Sequence, residues 1–176
     1  MTDNRTIGDV CASIESVDGV SLRPWHVDDA DVLVAAWNDA EIARWNPVPA
    51  EPTHALATSW IQGTASQRSN SSGVDVVMVR DGEVIGEIGL QIDRQQQVGE
   101  LGFWIAASKR GEGLGSTMLD LACGLGGAVA LRGLVAMVDP GNPAALSLLR
   151  GAGWNELPTQ SSRKAFARRL VSPTPS

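Results

Sequence analysis

The segment 109–116, KRGEGLGS, places a glycine at every second position, between an apolar run and a stretch with helical periodicity. Alternating glycines leave one side of the backbone bare, so that a large group can approach the main-chain N–H groups. Lys109 and Arg110 open the segment, and a helix is predicted to begin within it. Free amides and a helix dipole at that point would favour a phosphate or pyrophosphate. A glycine-rich turn without a ligand is the alternative, and Glu112 would have to turn away from any bound anion.

Two other phosphate-binding loops do not fit the glycine segment. A Walker A loop requires a Gly-Lys pair, which the chain lacks. A dinucleotide fingerprint requires G-x-G-x-x-G behind the first strand of a parallel unit. Here the glycines fall at 111, 113 and 115, behind strands that are predicted to be antiparallel.

The composition is that of a globular protein with one domain. The chain has 176 residues, of which 43% are hydrophobic and 19% are charged. The net charge of −6 and the absence of a basic block argue against a nucleic-acid partner. Two cysteines, Cys11 and Cys123, argue against a disulfide or a metal site. We expect no membrane segment and no signal peptide from the hydropathy pattern, and therefore a cytoplasmic protein.

The periodicity predicts a single α/β domain with a mixed, mostly antiparallel sheet. Residues 1–17 and 171–176 are predicted to be flexible tails around a domain at 18–170. Asp81 and Gly82 separate two β-branched runs and predict a hairpin, which a third strand extends into a meander. The predicted strands are 20–25, 74–80, 83–92, 97–105, 133–138 (buried on both faces) and 163–170, and the predicted helices are 27–39, 53–67, 114–131 and 142–151.

Four segments together resemble one known family. The run R-x-x-G-x-G at 110–115 resembles the acetyl-CoA pyrophosphate loop of the GNAT-type N-acetyltransferase superfamily. ELGFWI before it and VSLRPWHVDDADVLVAAWND near the start resemble the RimJ/RimL-like subgroup, which acetylates ribosomal-protein N-termini. NPAALSLLRGAGW near the end resembles the late helix of the whole family. The resemblance covers 18–170. It implies a GNAT-like domain of six to seven strands and about four helices, with splayed fourth and fifth strands.

The resemblance also implies acetyl-CoA as co-substrate, without a metal. Asn142 would bond the pantetheine arm, although it could equally cap the following helix. Backbone groups of the fourth strand would pair with the same arm, namely those of Phe103, Trp104 and Ile105. The pyrophosphate would lie on the loop residues Arg110, Gly111, Glu112, Gly113, Leu114, Gly115 and Ser116.

Catalytic roles follow from the same resemblance. Glu100 in the fourth strand would be the general base, the alternative being a surface glutamate in a ladder pair. Glu87 in the preceding strand could lie across from it at the substrate site. Many members carry a tyrosine as general acid at the position of Leu149, but this chain contains no tyrosine. Ser147 could donate a proton through water instead, or be an ordinary helical serine.

These assignments predict direct transfer of an acetyl group to a primary amine. The acceptor would be a protein N-terminal α-amine or a small-molecule amine, and Trp45 would border its site unless it serves as core or hinge. Neither cysteine lies where an acyl intermediate would form. The alternative function is a non-catalytic acyl-CoA-binding sensor. The resemblance is also compatible with a homodimer.

Overall fold

The computed structural model describes residues 5–69 and 72–171 and contains one seven-stranded sheet. Its strand order is β1-β2-β3-β4-β5-β7-β6. The strands are β1 (Ser21–Pro24), β2 (Gly73–Arg80), β3 (Glu83–Asp93), β4 (Val98–Ile105), β5 (Gly133–Val138), β6 (Asn155–Leu157) and β7 (Lys164–Arg169). Within the described residues the α-helices are α1 (Ile7–Ala12), α2 (Ala30–Trp37), α3 (Ala40–Trp45), α4 (His54–Ser69), α5 (Leu114–Ala128) and α6 (Pro143–Gly151).

Strands β2, β3 and β4 form the predicted antiparallel meander. The turn between β2 and β3 consists of Asp81 and Gly82, with φ of 52° and 80°. Two successive positive φ values suit a turn whose twist matches that of the flanking strands. The hairpin prediction is confirmed.

Strands β4 and β5 are parallel and separate after three residue pairs. Val98–Glu100 of β4 pair with Gly133–Val135 of β5. Beyond Glu100, β4 continues to Ile105 in register with β3, while β5 continues in register with β7. From Leu101 onward this edge of β4, the free edge, has no strand partner within the described residues, which confirms the predicted splay.

The sheet separates two hydrophobic clusters. The larger cluster, on the α1, α5 and α6 side, includes Leu101, Met118 and Leu149. The smaller cluster lies under α2–α4 and includes Trp25 and Trp104. Since side chains alternate along β4, Glu100, Gly102 and Trp104 share the α2–α4 face.

The N-terminal segment departs from the prediction of a tail. Residues 7–12 form α1, whose start is closed by a reciprocal capping box between Thr6 and Asp9. Val10 and Cys11 are buried in the larger cluster. Residues 5–17 thus contribute to the domain, whereas 1–4 and 172–176 lie outside the described residues.

The region after β1 also differs from the predicted single helix over 27–39. It forms a turn of 3-10 helix (Val27–Asp29), then α2, then α3. The break occurs at Asp39, whose carboxylate accepts bonds from the N–H groups of Glu41 and Ile42 and so begins a new helix.

The second half of the sheet holds two smaller differences. The short edge strand β6 was not predicted. Strand β5 is not buried on both faces, because its residues alternate between buried and half-buried positions.

Candidate active site

The glycine segment forms the start of α5. Gly111 and Gly113 have φ of 79° and 78°, in the left-handed region that favours glycine. Gly113 is the N-cap and supplies no side chain to the first turn of α5. The first-turn N–H groups have no acceptor within the helix, and the helix dipole adds partial positive charge. This end of α5 can therefore hold an anion on its backbone.

Gly115 serves packing instead of backbone conformation. A methyl group built at Gly115 would lie 2.8 Å from Cδ1 of Leu148 in α6. The absence of a side chain therefore lets α6 approach the first turn of α5 closely. Gly111 and Gly113 are therefore suited to their positive φ values, whereas Gly115 is suited to close packing against α6.

The acid within the segment turns away from the amides, as the prediction required. Glu112 forms a hydrogen-bonded ion pair with Arg80 at the end of β2. The bond from Arg80 lowers the pKa of Glu112. Its negative charge is therefore compensated outside the helix terminus.

The two basic side chains of the segment are also held by the protein. Arg110 Nη2 donates to Asp39 Oδ1 over 2.9 Å, and Arg110 Nε donates to the carbonyl of Ile105 over 3.2 Å. Lys109 Nζ lies 3.1 Å from Glu83 Oε2. An anion at this site would accordingly rest mainly on backbone amides.

The residues predicted to flank the pantetheine arm lie along the free edge of β4. Phe103 and Ile105 pack against the larger cluster, whereas Trp104 is buried in the smaller one. Trp104 Nε1 donates to Glu87 Oε2 over 2.7 Å. Their side chains thus pack into the two clusters, and the backbone edge of β4 is open to a ligand except at the carbonyl of Ile105, which binds Arg110 Nε.

Glu100 stands where the two strands part, since it is the last residue of β4 that pairs with β5. Its side chain is 52% exposed, and its Oε1 lies 3.8 Å from Nη2 of Arg163 in the loop before β7. It lies opposite Gln91 of β3. The expectation that Glu87 faces it across the ladder is wrong, because Glu87 lies opposite Trp104.

Glu87 lies near Asp75, a second half-buried acid, which the sequence analysis missed. Burial raises the pKa of Glu87 to about 8, and the charge of Asp75 adds to the rise while the Trp104 N–H opposes it. Burial alone raises the pKa of Asp75 to about 6. The signal was an aspartate within the otherwise apolar strand sequence VDVVMVR.

The start of α6 holds the predicted asparagine. Asn142 is the N-cap, and its Oδ1 accepts a bond of 3.1 Å from the N–H of Ala145. Leu149, at the family's tyrosine position, is fully buried in the larger cluster, while Ser147 is exposed. The capping role of Asn142 is thus present.

Trp45 ends α3 beside the loop that precedes α6. Its Nε1 donates to Glu41 Oε1 over 2.7 Å, and the guanidinium of Arg44 lies 4.7 Å from the ring centroid. A methyl group built at Gly141 would lie 3.6 Å from Trp45 Cη2. Since Asp39 at the other end of α3 binds Arg110, α3 reaches from the end of β4 to the end of β5. It therefore spans the mouth of the splay.

The described residues contain neither a cluster of metal-binding side chains nor a membrane-spanning helix. No three His, Cys, Asp or Glu side chains within 5–69 and 72–171 come together as a metal site. No helix in the same ranges is long and apolar enough to cross a membrane.

Similarity to known proteins agrees with the splayed strands and the glycine segment before α5. The family of the Acetyltransferase (GNAT) domain matches residues 20–155, so the chain belongs to this acetyltransferase family. An uncharacterized N-acetyltransferase p20 of Bacillus licheniformis is 24% identical over 141 residues, which cover 78% of this chain and 79% of the relative.

Two solved structures illustrate the shared fold. Spermidine N-acetyltransferase from Vibrio cholerae, in complex with CoA and spermine, has a TM-score of 0.76 at 16% identity, covering 88% of this chain and 97% of that one. RimL, a ribosomal L7/L12 alpha-N-protein acetyltransferase in complex with coenzyme A, has a TM-score of 0.74 at 16% identity, covering 89% and 97%. The resemblance to the GNAT family is confirmed.

Proposed function

We propose that this protein transfers an acetyl group from acetyl-CoA to a primary amine by direct attack. The observation that carries the proposal is the free edge of β4, which begins at Leu101, has no strand partner in the described part of the chain and leads to the N-terminal amides of α5. A pantetheine arm can pair with such an edge while its pyrophosphate lies at a helix N-terminus. The structures of relatives with bound CoA support this assignment.

The cofactor would be held by three parts of the chain. The pyrophosphate would lie on the amides of the loop and of the first turn of α5, from 110 to 116. The arm would pair with the backbone of Phe103, Trp104 and Ile105. Asn142 would contribute its side-chain amide nitrogen, since its Oδ1 is already used as the cap.

Glu100 is the general base of the proposal, because it stands at the point where the strands part. The neutral amine would attack the thioester carbon, its proton would pass to Glu100 and the carbon–sulfur bond would break. Deprotonating an α-amine of pKa about 8 costs about 1.4 kcal/mol at pH 7, against about 4.6 kcal/mol for a lysine amine. An alkylamine acceptor therefore carries an additional deprotonation cost of about 3 kcal/mol.

The departing sulfur needs little assistance. A thiol of pKa about 8.5 leaves as a fairly stable anion near neutral pH. Loss of the tyrosine at Leu149 is therefore compatible with catalysis. Ser147 would supply a proton through an intervening water.

Two kinds of amine fit this mechanism, a protein N-terminal α-amine and a small-molecule amine. The relatives include an enzyme named for a ribosomal-protein N-terminus and one named for spermidine. Trp45, bordering the mouth of the splay, and the buried Glu87 are the residues that we propose to contact it. Use of acetyl-CoA, an intracellular metabolite, supports a cytoplasmic location. The resemblance is compatible with a homodimer, which gel filtration would test.

The experiment is a thiol-release assay with acetyl-CoA and a panel of amines and short peptides. We expect Glu100→Gln to lower kcat by about 100-fold, within the usual range for a lost general base. Ser147→Ala in the same assay tests the water-mediated proton donor. Glu15→Gln, an exposed acid on the opposite side of the sheet, is the matched control.

Two results would contradict the proposal. Unchanged kcat in Glu100→Gln would remove Glu100 as the base. Tight CoA binding without thiol release for any acceptor would instead support the acyl-CoA sensor. Gly113→Glu, which puts a side chain and a negative charge at the helix terminus, should abolish CoA binding under either function.

A further inference from the structure

A cavity of about 320 Å³ lies beside the first residues of β2, two strands away from the free edge of β4. The end of β1, the start of β2, residues of α4 and Ile7 of α1 line it. Its lining includes Trp25, Ile61, Thr64, Val74 and Asp75. Asp75 is the one carboxylate among the lining residues.

One polar group of the cavity has no protein partner among the side chains that the structure describes, which are those of 5–65 and 72–171. Asp75 is half-buried, and no hydrogen bond or ion pair joins it to these side chains. Polar groups removed from water are nearly always satisfied in folded proteins. The carboxylate of Asp75 is therefore a group that a ligand in the cavity can use.

A bare strip of sheet, made by Gly89 and Gly102, connects Asp75 with β4. Asp75 lies opposite Gly89 on β3, which lies opposite Gly102 on β4. A methyl group at Gly89 would lie 2.5 Å from Asp75 Oδ1, so the carboxylate leans over this glycine. A methyl group at Gly102 would meet nothing within 4 Å. The strip is thus open toward the edge of β4.

Polar and aromatic side chains border the bare strip along both sides. Glu87 and Trp104, joined by their hydrogen bond, lie on one side. Gln91 and Glu100 lie on the other side, opposite each other. An elongated molecule lying on the strip would have its ends at Asp75 and at the point where β4 and β5 part.

We propose that the cavity at Asp75 binds a second, positively charged group of a small diamine acceptor, whose reacting amine lies beside β4. This inference rests on the proposed function. The carboxylate supplies the counter-charge, and Trp25 supplies an aromatic wall to the cavity. Neighbouring strands are about 4.8 Å apart, so two steps from β2 to β4 span roughly 10 Å. The two amines of the acceptor would be separated by a distance of that order.

The test measures kcat/KM for a series of α,ω-diamines and for the monoamines of the same chain length. We expect the wild-type protein to prefer the longer diamines over the matched monoamines by at least tenfold. Asp75→Asn should lower kcat/KM for those diamines at least tenfold, mainly through KM, and leave monoamines unchanged. Asp120→Asn, which removes an exposed carboxylate from α5, should change neither. Circular dichroism of each variant verifies the fold.

The outcomes separate this inference from the proposed function. Equal use of monoamines and diamines, or an equal loss of both in Asp75→Asn, would overturn the inference and leave the acetyltransferase intact. A peptide with a lysine side chain that outperforms every diamine would replace the small acceptor by a protein. If no amine stimulates thiol release, the proposed function fails. In that case, calorimetric titration with the diamine tests whether the cavity binds it. The inference requires that binding weakens at least tenfold in Asp75→Asn.

Discussion

Glu87→Gln should change how the stability of this protein depends on pH. Burial, reinforced by Asp75, raises the pKa of Glu87 from its ordinary value of 4.5 to about 8. Between these values the folded protein holds a proton that the unfolded chain has lost. The free energy of unfolding therefore falls as the pH rises from about 4.5 to about 8, and the contribution is greatest at low pH.

The size of this effect follows from the two pKa values. A pKa difference of this size corresponds to about 5 kcal/mol, at about 1.4 kcal/mol for each pH unit. Most of it, about 3–4 kcal/mol, is lost between pH 5 and pH 8. Glutamine cannot ionise, yet its side-chain oxygen can still accept the bond from Trp104 Nε1. The free energy of unfolding of Glu87→Gln should therefore rise relative to that of the wild-type protein by about 3–4 kcal/mol over this range.

Urea denaturation at pH 5, 6, 7 and 8 measures the difference directly. The difference in the free energy of unfolding between Glu87→Gln and the wild-type protein should grow steadily with pH. Glu15→Gln, at an exposed site, should give a difference that stays constant. A constant difference for Glu87→Gln as well would refute the argument that Glu87 is held protonated by burial.

Two further predictions concern the glycine segment that leads into α5. Arg80→Ala should weaken CoA binding several-fold, because the carboxylate of Glu112 loses its partner beside an anion site. The double variant Arg80→Ala/Glu112→Gln should recover most of the affinity, as measured by calorimetry, and failure to recover would remove Glu112 as the cause. Gly115→Val should lower the free energy of unfolding by about 1–3 kcal/mol, since its side chain collides with Leu148. Thermal denaturation measures this loss, and Gly115→Val/Leu148→Ala should lessen it if the collision is the reason.

Local pattern predicted the central meander well, because its signals lie within a few residues of one another. Asp81 and Gly82 between two β-branched runs were sufficient for the hairpin. The register of β3 against β4 needed the structure, and it placed Trp104, not Glu100, opposite Glu87. A slip of a few residues leaves the apolar pattern unchanged but alters which acids meet.

Contacts between distant segments could not be predicted from the sequence. Glu112 is paired with Arg80, 32 residues away, and Arg110 with Asp39, 71 residues away. No local pattern encodes such partners, so the sequence alone did not show what compensates the charge of Glu112. The helix α1 was different, because the spacing of Thr6 and Asp9 is that of a capping box and could have been recognised.

The short helix α3 has a kinetic consequence. Asp39 at its first end binds Arg110 of the anion loop, and Trp45 at its last turn touches the loop before α6. Acetyl-CoA entering between these loops would shift the contacts at both ends of α3, which also borders the acceptor site. Occupancy of one substrate site would thus alter the shape of the other. The order in which the two substrates bind should then be fixed, with acetyl-CoA first, and product inhibition patterns would reveal that order.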